Sequence, residues 1–157
     1  MAMTVQIPSD YRAARRAFVV ACEAIGADAI ARVHPGAASD GKPLFLDTVA
    51  LGSRTATRAV LVIGNDAKAT AALIFLLQNF PPPADQRLVL MHALDPAAFA
   101  GGDADPAWSA LMLAAVAAED LSRVTELAVL NLAGMDPKPA LQTALPKAKI
   151  TVRAPTL

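Results

Sequence analysis

Aromatic residues make up only 4% of this 157-residue chain, so its interior has to be built from aliphatic and small side chains. There is one cysteine, Cys22, which excludes an internal disulfide and any cysteine-rich metal motif. Excess charge is missing too: fourteen basic residues cancel fourteen acidic ones, which removes the attraction that nonspecific nucleic-acid binding depends on. Long apolar runs are absent, since "AALIFLL" and "ALMLAAVAA" fall well short of the roughly 20 residues of a membrane-spanning helix. The opening "MAMTVQIPSDYRAARR" lacks the charged start and apolar run of a secretory leader. These absences lead to the expectation of a cytoplasmic protein with neither nucleic acid nor membrane as partner.

What is abundant is alanine. It carries most of an apolar fraction of 55%, and this surplus leads to the expectation of a homo-oligomer whose interface covers part of it. At 157 residues the chain is long enough for one hydrophobic core and short for two, so residues 1–157 are read as a single domain.

Periodicity sets the order of elements. In "YRAARRAFVVACEAIGA" the apolar residues Tyr11, Ala14, Phe18, Cys22 and Ile25 recur at three- and four-residue steps, which predicts an amphipathic helix capped by Ser9 and stopped at Gly26. The runs "DAIARVH" and "LFLDTVAL", separated by a loop containing Asp40-Gly41, predict a hairpin, with His34 in its loop. Buried strands "RAVLVIG", "QRLVLMHAL" and "TELAVLNL" then alternate with helices at "KATAALIFLLQNF" and "PAWSALMLAAVAAEDL". Pro81 to Pro83 stop the first of these helices. A short helix around "PALQTAL" and a last strand in "KAKITVR" complete the pattern. Alternating strands and helices imply parallel crossovers, hence a three-layer α/β/α sandwich with a mostly parallel sheet and an antiparallel N-terminal hairpin at one edge.

In such sheets ligands bind beyond the carboxyl ends of the strands. Asn65 and Asp66 follow the first parallel strand, His92 and Asp95 end the second, and Asn131 lies in the third. Adjacent strands would bring these groups together, with Lys68 assisting at the free amides of the helix that starts near Ala67, in a site for a small molecule or an anion. Each has a plainer reading. Asn65 and Asp66 cap that helix, Asp95 before Pro96 makes a turn, and His92 is a hydrogen-bonded structural histidine. Asp103 and Asp105 read as caps of the helix containing Trp108, and Arg12, Arg15 and Arg16 as a solvated face. No GxGxxG, GxxxxGK[ST] or GxSxG motif accompanies any of them.

The segments "PGAASDGKPLFLDTVALGSRTATRAVLVIGN" and "LVLMHALDPAAFA", with "ELAVLNLAGMDP" further on, resemble the uncharacterised bacterial branch of the zinc carboxypeptidase superfamily. The resemblance implies a His-x-x-Glu pair of zinc ligands directly after the "VLV" strand, but that turn reads Gly64-Asn65-Asp66-Ala67-Lys68-Ala69-Thr70. The family's third ligand falls on Ala133, its substrate-gripping Asn-Arg segment has no counterpart between Ala100 and Glu126, and its catalytic Glu lies beyond Leu157. Against that pattern no metal ligand, catalytic residue or cofactor is expected. The reading is then a noncatalytic carboxypeptidase-like pseudoenzyme acting through binding or assembly. The alternative is a small metal-independent hydrolase using the crevice at the strand ends.

Overall fold

An apolar stripe at helical spacing sets α1 (Tyr11–Glu23), with Ala14, Phe18, Ala21 and Cys22 buried along one side. The computed structural model describes residues 11–24, 30–37, 41, 43–64, 67–79, 85–94, 107–119, 121, 123–132 and 137–153; the expected cap at Ser9, the stop at Gly26 and the proline run 81–83 lie outside them. After α1 come the hairpin strands β1 (Ile30–Ala37) and β2 (Pro43–Gly52). Then follow β3 (Arg58–Gly64), α2 (Ala67–Asn79), β4 (Gln86–Leu94), α3 (Ala107–Ala118), β5 (Glu126–Leu132), α4 (Lys138–Ala144) and β6 (Lys149–Arg153). Gly41, in the connection between β1 and β2, has a φ of 84°, a left-handed conformation that glycine adopts without steric cost. His34 departs from expectation: it belongs to β1, opposite Leu46, because the edge strand continues past it to Ala37.

The strands form one sheet in the order β1-β2-β4-β3-β5-β6. β1 pairs antiparallel with β2 and β2 antiparallel with β4, whereas β3 runs parallel to both β4 and β5, and β5 parallel to β6. This is the mostly parallel sandwich with an antiparallel hairpin at one edge. Helices α1 and α2 cover one face and α3 and α4 the other.

Side chains alternate between the two faces along each strand. Leu46, Leu61, Ile63, Met91 and Leu127 pack under α3 and α4, while Val49, Val62 and Leu90 meet Phe18, Leu73 and Leu77 under α1 and α2. Each large apolar side chain taken fully out of water contributes about 1.5–3 kcal/mol, which offsets the entropy lost in ordering it. With few rings available, aliphatic side chains fill both cores. Among the described residues no helix is long and apolar enough to cross a membrane.

Connectivity marks one switch point in the sheet. The crossover that leaves β3 goes to β4, on one side, and the crossover that leaves the adjacent β5 goes to β6, on the other. In open α/β sheets ligands bind beyond the carboxyl ends of strands at such a point, here β3 and β5.

Candidate functional site

Close packing marks the end of β3. A Cβ built on Gly64 would stand 2.9 Å from the Ala69 Cβ and 3.0 Å from the Leu73 Cδ1, so glycine is what allows α2 to descend directly onto the end of β3. Asn65, Asp66 and Asp95 lie outside the described residues, as do Asp103 and Asp105. Lys68 is exposed in the first turn of α2. His92 is in register with Gly64, and Asn131 with Ile63.

Alternation separates the two candidates that can be compared directly. His92 shares the face of Leu90 and Val62, beneath α1 and α2, while Asn131 shares the face of Val129 and Leu127, beneath α3 and α4. They flank the sheet instead of converging on one side of it.

His92 is wholly buried. Its Nε2 lies 2.7 Å from Thr70 Oγ1, on the first turn of α2, and its ring is tilted against Phe18 with centroids 4.8 Å apart. Nδ1 is buried with no hydrogen-bond partner among the described residues. Burial, aided by the charge of Arg15, pushes the pKa down to about 3, so the ring is neutral at physiological pH. A neutral imidazole in this setting holds a hydrogen bond and does not exchange protons with solvent.

Directly opposite His92 on β2 is Asp47, also buried. Arg15 grips it through two bonds, Nε donating to Oδ2 at 2.7 Å and Nη2 donating to Oδ1 at 3.1 Å. The guanidinium also lies over the Phe45 ring, 4.4 Å from its centroid. Burial raises the Asp47 pKa more than Arg15 lowers it. Arg15 therefore departs from the solvated face on which Arg12 and Arg16 remain. One feature of the sequence pointed to this pair: Asp47 is the lone charge in "LFLDTVAL" and shares parity with the inward Val49.

A second polar cluster occupies the opposite face. Glu119, just past α3, is buried; it accepts a bond from Thr48 Oγ1 at 2.6 Å and one from Arg32 Nη1 at 2.9 Å. His34 Nε2 stands 3.4 Å from Thr48 Oγ1, and burial lowers its pKa. This group ties α3 to the edge hairpin, and periodicity offered no sign of it. Among the described residues no group of three or more His, Cys, Asp or Glu side chains stands close enough to hold a metal ion.

A family model described as "Protein of unknown function (DUF2817)" matches residues 8–100. No curated protein matches the chain. Solved structures that share the fold include three glutaminyl cyclases. Macrostomum lignano glutaminyl cyclase matches with TM-score 0.55 and 15% identity, over 80% of this chain and 47% of its own. Fimbriiglobus ruber glutaminyl cyclase matches with TM-score 0.51 and 11% identity, over 80% and 55%. Porphyromonas gingivalis glutaminyl cyclase matches with TM-score 0.50 and 13% identity, over 80% and 52%. The chain thus spans about half the length of each of these proteins.

These findings correct the carboxypeptidase resemblance. The "PGAASDGKPLFLDTVALGSRTATRAVLVIGN" and "LVLMHALDPAAFA" segments fall within the matched family of unknown function, and the three solved structures above are glutaminyl cyclases. The quoted pieces mark a hairpin, a buried strand and a strand end, which any sheet of this topology needs. His92, within the "LVLMHALDPAAFA" segment, is a sealed side chain with a structural bond. The noncatalytic reading loses its support with the resemblance, because the ligands it lacks belong to that family's pattern, and the shared fold favours the alternative of a small enzyme.

Proposed function

The chain belongs to this family of unknown function, and from that premise we propose that it works as an enzyme of hydrolase or cyclase type on an amide or ester, its reaction seated beyond the carboxyl ends of β3 and β5. The observation that carries the reading is the sheet it has in common with glutaminyl cyclases, combined with a topological switch point at the strand ends, where such sheets take their ligands. In this proposal the Asp66 carboxylate takes the proton of the attacking water or amine as the new bond to the carbonyl carbon forms, and returns it to the departing amine or alcohol as the C–N or C–O bond breaks. The amide side chains of Asn65 and Asn131 donate hydrogen bonds to the carbonyl oxygen as it gains negative charge. What supports a role for Asn131 is its register one residue short of the end of β3, on the α3 side of the sheet.

His92 acts from beneath as a positioning residue. Its bond to Thr70 pins the first turn of α2, which follows Asn65 and Asp66 in the sequence, and its neutrality keeps that anchor unchanged across the physiological pH range. Initial rates on p-nitrophenyl esters, p-nitroanilides and glutaminyl peptides test the reading. Asp66→Asn should lower kcat by about 10²–10⁴-fold, the usual contribution of a general base. Asn131→Ala should lower kcat by about 10²-fold with KM little changed. His92→Gln, which still offers Thr70 a partner, should keep more kcat than His92→Ala. Wild-type protein inert on all three substrate classes, or an Asp66→Asn variant with full turnover, would overturn the proposal.

A further inference from the structure

Between α1 and the edge hairpin lies a groove of about 440 Å³, lined by Arg12, Arg15 and Arg16 together with Val20, Val33 and Phe45. We propose that this groove binds an amphiphilic carboxylate, its charged end held by Arg12 and Arg16 and its aliphatic tail laid along Val20, Val33 and Phe45. The volume falls within the range of small-molecule sites, roughly 300–1,000 Å³.

Charge argues for an anion. Among the described residues no acidic side chain lines the groove. Arg15 is occupied by Asp47, whereas Arg12 and Arg16 have no ion-pair partner among the described residues. Arg12, in the first turn of α1, also sits poorly at the amino end of a helix, where the dipole is positive, and that turn carries no acidic residue to compensate. A bound carboxylate would relieve both.

Exposed apolar surface argues for a tail. Val20 is 57% exposed and Val33 50%, two of the three most exposed large apolar side chains among the described residues, and both line this one groove. The third, Phe75, lies on α2 and is not part of it. Phe45 contributes a ring already covered on one side by Arg15. A compact inorganic anion would leave this surface in water, and an uncharged aliphatic would leave the guanidinium groups unused. The inference goes beyond the proposed activity and does not require it, because the groove adjoins β1 and β2 while the switch point lies between β3 and β5.

Isothermal titration calorimetry of the full chain with octanoate, octylammonium and octan-1-ol, at physiological salt, tests it. Octanoate should bind saturably at one per chain and at least about tenfold tighter than octylammonium. Arg12→Gln with Arg16→Gln should weaken octanoate by about ten- to a hundredfold and leave octan-1-ol unchanged, as expected when two charge-assisted bonds are lost. Val33→Asp should weaken octanoate through its tail. All three positions lie at the surface, so circular dichroism should report an unchanged fold. Octanoate heats equal to dilution, octylammonium binding as tightly as octanoate, or a double arginine variant that binds like wild type would each overturn the proposal.

Discussion

Replacing His92 by glutamine should flatten the acid side of the stability profile. Burial holds the folded imidazole at a pKa of about 3, against 6.5 for an ordinary histidine. Between those two values the unfolded chain binds a proton that the folded chain does not, so stability rises with pH across that window. The contribution is present in full above pH 6.5 and is lost as pH falls toward about 3. Its slope is about 1.4 kcal/mol per pH unit, or about 5 kcal/mol over the whole window. His92 is wholly buried, so water does little to screen the effect. Asp47 acts with the opposite sign: its raised pKa lets the folded chain hold a proton longer, so its contribution falls as pH rises above the ordinary carboxylate value of 3.8. Because Asp47 is present in both proteins, only the difference between them reports His92. Glutamine suits the test because it does not titrate and still offers Thr70 a hydrogen-bond partner. Urea unfolding followed by circular dichroism, from about pH 4.5 to 7.5, should show wild type losing about 2–3 kcal/mol more than the variant between pH 6.5 and 4.5. Parallel profiles would refute the claim that His92 is buried in its neutral form.

Gly64→Ala should lower stability by about 1–3 kcal/mol, read as a fall in Tm, because the new Cβ would press on the Ala69 Cβ at 2.9 Å, which has no rotamer to escape into. Asp47→Ala should lower stability by about 3–5 kcal/mol in urea titration, since it strands the Arg15 guanidinium beside a buried face. The Cys22 thiol, pushed up to about 12 by burial and then by the charge of Asp47, should not react with an aromatic disulfide reagent at neutral pH in the native protein. One thiol per chain should react once urea unfolds it.

The order of elements could be read from the residues because periodicity records which sides of a helix or strand are buried. Continuous apolar runs such as "RAVLVIG" require cover on both faces, and β3 is indeed flanked by strands on both sides and by helices above and below. The polar clusters were harder, because their partners are distant in sequence and a single charge has no period. Arg15 and Asp47 are 32 residues apart, and Thr48 and Glu119 are 71 apart; each pair exists only because the sheet order brings β2 beneath α1 on one side and α3 on the other. Parity offered the usable clue, since Asp47 and Thr48 interrupt an otherwise apolar strand and must each find a partner on their own face. The same rule explains why His92 and Asn131 do not meet. Both end buried parallel strands, but His92 stands in register with Gly64 and Asn131 with Ile63, one residue apart along β3, and that single step sends their side chains to opposite faces. A site assembled from strand ends in this fold must therefore be judged by register as well as by the order of its residues.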